Sequence, residues 1–170
     1  MRRVLVIGSG GAGKSTFARE LGARTGLPVV HLDRLYWKKC WVETSKPEWE
    51  DVVRRTIACD EWVLDGNYGG TLDLRLAAAD TCVFLDLPRW TCLRRALWRN
   101  VVFRGRSRPD MTDGCPERVT WEFVRWILTY RRLRRPGIME KLAAFETRGG
   151  RVVVLSSPRA ARDWLRHLAR

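Results

Sequence analysis

Gly8-Ser9-Gly10-Gly11-Ala12-Gly13-Lys14-Ser15-Thr16 is the stretch that decides the fold. It satisfies G-x-x-x-x-G-K-[S/T] at every constrained position. Val4-Leu5-Val6-Ile7 precedes it, a short apolar run that reads as a strand buried on both faces. A helical pattern, Thr16–Thr25, follows. Strand, glycine-rich turn and helix are the context in which this motif carries chemistry. Its glycines let backbone N–H groups curl around phosphate oxygens, and the helix N-terminus adds the positive end of its dipole. Lys14 then reaches the β- and γ-phosphates, and the Ser15 hydroxyl coordinates Mg²⁺. The nine residues Gly8 to Thr16 are the expected nucleoside-triphosphate site. The motif implies binding and leaves the reaction open.

Outward from it, strand and helix patterns alternate. Candidate strands are Val4–Ile7, Val29–Leu32, Trp62–Leu64, Thr81–Leu85 and Val152–Leu155, each bounded by turn or polar residues. Helical patterns cover Thr16–Thr25, Pro47–Ala58, Thr71–Ala78 and Ala160–Ala169. Ser45 is placed to cap the second of these, with Glu48 as its capping-box partner. A long arginine-rich region, residues 90–148, separates the fourth and fifth strands. The alternation predicts an α/β fold, a five-stranded parallel sheet flanked by helices. In such sheets ligands sit outside the carboxyl ends of the strands. The 170 residues are read as one domain.

Several classes drop out. No apolar run approaches the roughly 20 residues of a membrane span. The run after Met1-Arg2-Arg3 is too short for a signal-peptide core. A cytoplasmic protein with no membrane partner is the expectation. Five cysteines, an odd number with no CxxC spacing, indicate neither a disulfide framework nor a zinc site; mostly buried thiols are expected. The net charge is +13, and residues 89–135, with 13 arginines, four acids and no lysine, supply +9 of it. Arginine without lysine suits planar, bidentate phosphate recognition. A nucleic-acid surface and a genome that favours arginine codons are the alternatives.

The remaining strand ends bear on the acceptor. The second is followed by Asp33, Arg34, Leu35, Tyr36 and Trp37, and the third by Asp65-Gly66-Asn67-Tyr68. Asp65 is the candidate to hold a metal-bound water, alongside Ser15 as metal ligand. Asp33 is the candidate to grip or deprotonate an acceptor hydroxyl. Asp65-Gly66 is equally a turn signal. Tyr36, Trp37, Trp41 and Tyr68 form either an apolar stacking wall or core. Arg95 and Arg99, four apart, share a helix face aimed at the site. Phe103 to Asp110, with Arg104, Arg106 and Arg108 among Gly, Ser and Pro, reads as a positively charged cover or as an exposed arginine loop. Arg131-Arg132-Leu133-Arg134-Arg135 reads as a solvated helix end or a phosphate clamp. Ser156-Ser157-Pro158 would border the nucleotide base.

Together these residues resemble the nucleoside-monophosphate-kinase group of P-loop kinases, to which adenylate kinase belongs, over essentially the whole chain. Gly8–Ser15 resembles its phosphate loop, Leu64-Asp65-Gly66 its Leu-Asp-Gly, and Leu85-Asp86-Leu87-Pro88 its strand-end acid motif. Arg95 and Arg99 fall where that group places adenine-packing and phosphate-binding arginines, and residues 104–118 would be a short lid. A closer resemblance is to small bacterial adenylate-kinase-related proteins described as DNA-topology-modulation proteins associated with flagellar genes. It rests on His31-Leu32-Asp33, Tyr36-Trp37, Asp65-Gly66-Asn67-Tyr68, Leu72-Asp73-Leu74-Arg75 and the stretch from Arg106 through Pro109-Asp110-Met111 to Gly114-Cys115-Pro116-Glu117-Arg118. The resemblance implies ATP and Mg²⁺ as cofactors and phosphoryl transfer as the activity. Adenylate kinase has an arginine soon after its Asp-Gly that holds the acceptor's phosphate. Here none occurs before Arg75, so a nucleoside or another hydroxyl-bearing acceptor fits better than a nucleoside monophosphate.

Three functions are therefore expected in order: a kinase of a nucleotide, nucleoside or small hydroxylated acceptor; a nucleotide-regulated DNA-binding protein; and an ATPase. Catalytic candidates are Lys14, Asp33, Arg95 and Arg99. Acceptor-binding candidates are Asp33, Tyr36, Trp37, Asp65, Tyr68, Arg106 and Arg108.

Overall fold

Val4, Leu5, Val6 and Ile7 are all buried, and their alternation divides the interior into two halves. The computed structural model describes residues 1–105 and 110–168. In it the chain runs β1 (Arg3–Gly8), α1 (Lys14–Thr25), β2 (Val29–His31), α2 (Leu32–Tyr36), β3 (Trp37–Lys38), β4 (Val42–Glu43), α3 (Lys46–Ile57), β5 (Trp62–Asp65) and α4 (Leu72–Ala78). It continues through β6 (Thr81–Leu85), α5 (Arg89–Val102), α6 (Trp121–Leu133), α7 (Arg135–Thr147), β7 (Arg151–Leu155) and α8 (Pro158–His167). Five strands form a sheet in the order β2-β5-β1-β6-β7, every pairing parallel.

On one face Val4, Val6, Val63, Val83 and Leu85 pack against Phe17 and Leu21 of α1, Cys92 and Ala96 of α5 and Leu165 of α8. On the other Leu5, Ile7, Leu64, Cys82 and Phe84 meet Leu72 and Leu76 of α4 and Leu142 and Phe145 of α7. Strands covered on both sides must be apolar at every position, which is why they read as unbroken hydrophobic runs. A smaller cluster, Leu32, Trp49 and Val53 with Tyr36 and Tyr68, lies under the loops beyond β2 and β5. Register aligns Asp65 with both Val6 and His31, and Gly8 with Leu85. The ends of four strands therefore converge at one edge.

Local expectations needed three corrections. The arginine-rich region is largely helical, forming α5, α6 and α7. Ser45 precedes α3, but its side chain makes no capping bond. Pro47, the second helical residue, has no N–H to donate to the Ser45 hydroxyl, and the Glu48 carboxylate accepts from Lys38 Nζ at 2.9 Å instead. A two-stranded hairpin, β3–β4, was not foreseen; it turns through Cys40 and Trp41, both at φ 62, a left-handed conformation that their sequence gives no cue for. All five cysteines are free thiols; Cys82, Cys92 and Cys115 are buried, Cys40 and Cys59 exposed. Among the described residues no helix is long and apolar enough to cross a membrane.

Candidate active site

The turn between β1 and α1 is shaped by its glycines. Gly13, at φ 91, caps α1. Gly11 sits at φ 75, and a Cβ there would meet the Cys92 carbonyl oxygen at 2.1 Å. No other residue combines that conformation with that approach. Lys14 Nζ donates to the Ser9 carbonyl at 3.1 Å, so the lysine lies along its own loop. Burial pushes its pKa below the ordinary 10.5; the carboxylates of Asp65 and Asp33 oppose that shift and Arg99 adds to it.

Arg95 and Arg99 project from α5 toward this turn. Arg95 donates to the Ala12 carbonyl at 3.2 Å. Arg99 pairs with the buried Glu117 at 2.8 Å and lies over the Phe123 ring. Phe123 and Trp126 stack on each other and press against Gly10, where a Cβ would strike Phe123 at 2.6 Å.

A cleft of about 920 Å³ opens on the turn. One end is lined by Gly10 to Thr16, Arg95, Arg99, Pro158 and Arg162. The other is lined by Asp33, Trp37, Trp41, Asn67, Tyr68, Met111, Glu117 and Arg118. The Tyr68 hydroxyl donates to Asp33 Oδ1 at 2.6 Å. Burial, then the Asp33 charge, holds that phenol far above its ordinary range, so it stays a donor at every working pH. Tyr68 itself is at φ 35, a strained setting for a non-glycine residue.

Arg75 supplies the restraint. It is fully buried and donates to the carbonyls of Gly66 at 3.0 Å, Tyr68 at 2.9 Å and Thr71 at 3.3 Å, and to that of Asn67. Burial lowers its pKa to about 10, which leaves it charged at neutral pH. The loop it clamps delivers Tyr68 to Asp33 and Asn67 to the phosphate turn, where Asn67 Oδ1 accepts from the Gly8 N–H at 3.0 Å. Neither Asn67 nor Arg75 stood out in the sequence as a site residue, because the motif that contains them carries no spacing rule of its own.

Several expected site residues lie elsewhere. Asp65 is buried behind the cleft wall and bonds His31 Nδ1 at 2.9 Å. Its Oδ1 is buried with no hydrogen-bond partner, the kind of acceptor that a magnesium-bound water would satisfy. No group of three or more His, Cys, Asp or Glu among the described residues could hold a metal. Magnesium here would rest on Ser15 and the phosphates, as that ion commonly does. Tyr36 faces Trp37, Trp49 and Tyr68 and donates to Glu43, so it backs the wall rather than lining it. Arg106 and Arg108 lie outside the described residues. Arg131 and Arg135 both turn to Asp86, at 3.3 and 2.8 Å.

The cover expected over residues 104–118 is described at 104–105 and 110–118. Its later part is seated on the β3–β4 hairpin. Thr112 Oγ1 donates to the Trp37 carbonyl at 2.6 Å, Cys115 Sγ to that of Lys38 at 3.2 Å, and Trp41 Nε1 to that of Pro116 at 3.2 Å. The Arg118 guanidinium lies 4.7 Å from the centre of the Trp41 ring.

No family model matches the chain, and no curated protein matches it. Solved structures do. A shikimate kinase from Bacteroides thetaiotaomicron is 16% identical with a TM-score of 0.55, over 98% of this chain and 95% of that one. A shikimate kinase from Acinetobacter baumannii, in complex with shikimate, is 18% identical with a TM-score of 0.56, over 99% of this chain and 90% of that one. The fold is that of the shikimate-kinase-like P-loop proteins.

Proposed function

We propose that this chain is an ATP- and Mg²⁺-dependent phosphotransferase whose acceptor is a nucleoside or other small hydroxyl-bearing molecule. One observation carries the reading: a single cleft has a phosphate turn with Lys14, Arg95 and Arg99 at one end and a tyrosine-held carboxylate, Asp33, between aromatic walls at the other. The acceptor hydroxyl would donate to Asp33. Its oxygen would form the new bond to the γ-phosphorus as the bond to the ADP oxygen breaks, and the hydroxyl proton would pass to Asp33. Lys14, Arg95 and Arg99 supply fixed positive charge where the transferring phosphoryl group passes. Bound magnesium would neutralise phosphate charge, with Ser15 as its side-chain ligand and Asp65 holding its water. The segment 110–118, seated on the hairpin, would exclude water from the acceptor end.

Two further points support the choice of acceptor. Arg75, the first arginine after Asp65-Gly66, is engaged with loop carbonyls and does not line the cleft. The solved relative from Acinetobacter baumannii holds a small molecule, shikimate. Four of the 13 arginines in residues 89–135 are also engaged within the fold, Arg95 at the Ala12 carbonyl, Arg99 at Glu117, and Arg131 and Arg135 at Asp86, which leaves them less available to a nucleic-acid surface. Kinship with the topology-modulation proteins rests on the residue motifs quoted above. The test is ADP formation with ATP and Mg²⁺ across nucleoside monophosphates, nucleosides and small hydroxylated compounds, beside Lys14→Ala. One phosphate-free acceptor raising the rate, with the variant silent, supports the proposal. A rate indifferent to every acceptor makes the protein an ATPase instead.

A further inference from the structure

Helix α5 is built inside out. At 100° per residue, Leu97, Trp90, Val101, Arg94, Trp98 and Val102 fall in one arc of about 140°. That arc faces solvent: Trp90 is 64% exposed, Trp98 69%, Val101 66% and Val102 53%. The opposite arc carries the buried Cys92 and Ala96 together with Arg95 and Arg99, which reach the cleft. A helix on a protein surface normally turns its polar face outward. Five large apolar side chains among the seven positions of that arc, the others being Thr91 and Arg94, mark a contact surface.

The surroundings say what it contacts. At the Trp90 end the stripe opens into a shallow groove of about 560 Å³ lined by Pro88, Arg89, Trp90, Leu128, Arg131 and Arg132. The Arg89 guanidinium lies 5.3 Å from the centre of the Trp90 ring, and Arg131 also reaches Asp86. Helix α5 contains no acid. Trp121, 72% exposed, begins α6 with exposed Glu122 beside it. The partner must therefore be anionic and must offer an apolar layer directly behind its charge. A second copy of the chain fails the first condition, because +13 would meet +13 and an isologous contact would set Arg94 near its twin. A nucleic acid fails the second, because it has no apolar layer for Leu97, Val101 and Val102. The headgroup boundary of an anionic bilayer meets both, and it is where tryptophan and arginine settle together.

We propose that the outer face of α5 docks on anionic phospholipid, with Trp90, Leu97, Trp98, Val101 and Val102 entering the acyl boundary and Arg89, Arg94 and Arg132 at headgroup level. The expectation of no membrane partner came from the length of apolar runs, which reports on crossing a bilayer and not on lying against one. Trp98 and Val102 also line the cleft, so docking brings its mouth to the membrane surface. The proposal stands independently of the phosphotransfer reading.

The experiment is flotation of the full chain, near physiological ionic strength, with phosphatidylcholine vesicles and with vesicles that also contain about 30% phosphatidylglycerol. The expected result is flotation with the anionic vesicles alone. Trp90→Ser/Leu97→Ser/Val101→Ser, three exposed positions outside the cleft, should cut partitioning at least about tenfold with thermal unfolding unchanged. Arg89→Gln/Arg132→Gln should cut it about thirtyfold, as expected for two surface charges at the headgroups. Absence of flotation on the anionic vesicles overturns the proposal, as does equal flotation of the triple variant. A wild-type dimer that the triple variant dissociates, with vesicles ignored, would assign the face to a second copy. A short oligonucleotide that binds as tightly, and is released by the same triple variant, would assign it to nucleic acid.

Discussion

The two ends of the cleft are made of different material. The proposed nucleotide end is centred on one continuous stretch, Gly10 to Thr16, joined by Arg95 and Arg99 of α5 and by Pro158 and Arg162 of α8. The acceptor end is assembled from side chains on separate segments: Asp33, Trp37 and Trp41 beyond β2, Asn67 and Tyr68 beyond β5, and Met111, Glu117 and Arg118 beyond α5. The first end takes most of its lining from that one turn, which needs glycine at fixed places. The second needs a whole fold, with a buried arginine to hold one of its loops. Chemistry done by backbone is written locally, whereas chemistry done by converging side chains is spread along the chain.

Substitutions can break that contrast or sharpen it. The largest effect is expected at the nucleotide end, where Lys14→Ala should lower ADP production about a thousandfold in a coupled assay. Asp33→Asn should lower kcat about a hundredfold and leave ATP affinity, measured by calorimetry, unchanged; a matching loss of ATP affinity would mean that the two ends do not work separately. Arg75→Met orphans four loop carbonyls and should cost about 3 kcal/mol in denaturant unfolding. Its surviving folded fraction should show a raised acceptor KM. Tyr68→Phe deletes one hydrogen bond and should raise acceptor KM about fivefold to tenfold.

The smallest effect is a pH dependence. Burial lowers the Lys14 pKa below 10.5, so free enzyme loses that proton earlier than an ordinary lysine and ATP affinity should weaken as pH rises through the lowered value. Over the same window the unfolded chain binds more protons than the native one, so this group makes stability rise with pH while affinity falls. Lys14→Arg, charged throughout, should flatten the affinity profile.

The five strands of the main sheet and the phosphate turn were legible because each is a local pattern: an apolar run covered on both faces, and glycines before a lysine. Helices α5 to α7 were legible only in pieces, the shared face of Arg95 and Arg99 and the helix end at residues 131–135, because the arginines of α5 and α6 mask their periodicity. Arg95 and Arg99 point into the cleft and Trp90 and Leu97 point out, so the usual polar-outside rule mislabels the faces. The aromatic residues near Asp33 were rightly ambiguous: Trp37 and Trp41 line the cleft while Tyr36 stands behind it. Asp86 gave no hint that Arg131 and Arg135, 45 and 49 residues further on, would close on it. Only the folded chain reveals such a pairing.

The clamp at Arg75 also constrains how this protein can change. Its guanidinium is bonded to four carbonyls of the loop that carries Asn67 and Tyr68. A lineage adapting to a phosphorylated acceptor could not simply re-aim this arginine, since withdrawing it strands those carbonyls and loosens the loop. It would have to acquire a second arginine while retaining the first, so the route to a new acceptor runs through gain of a residue rather than reassignment of one.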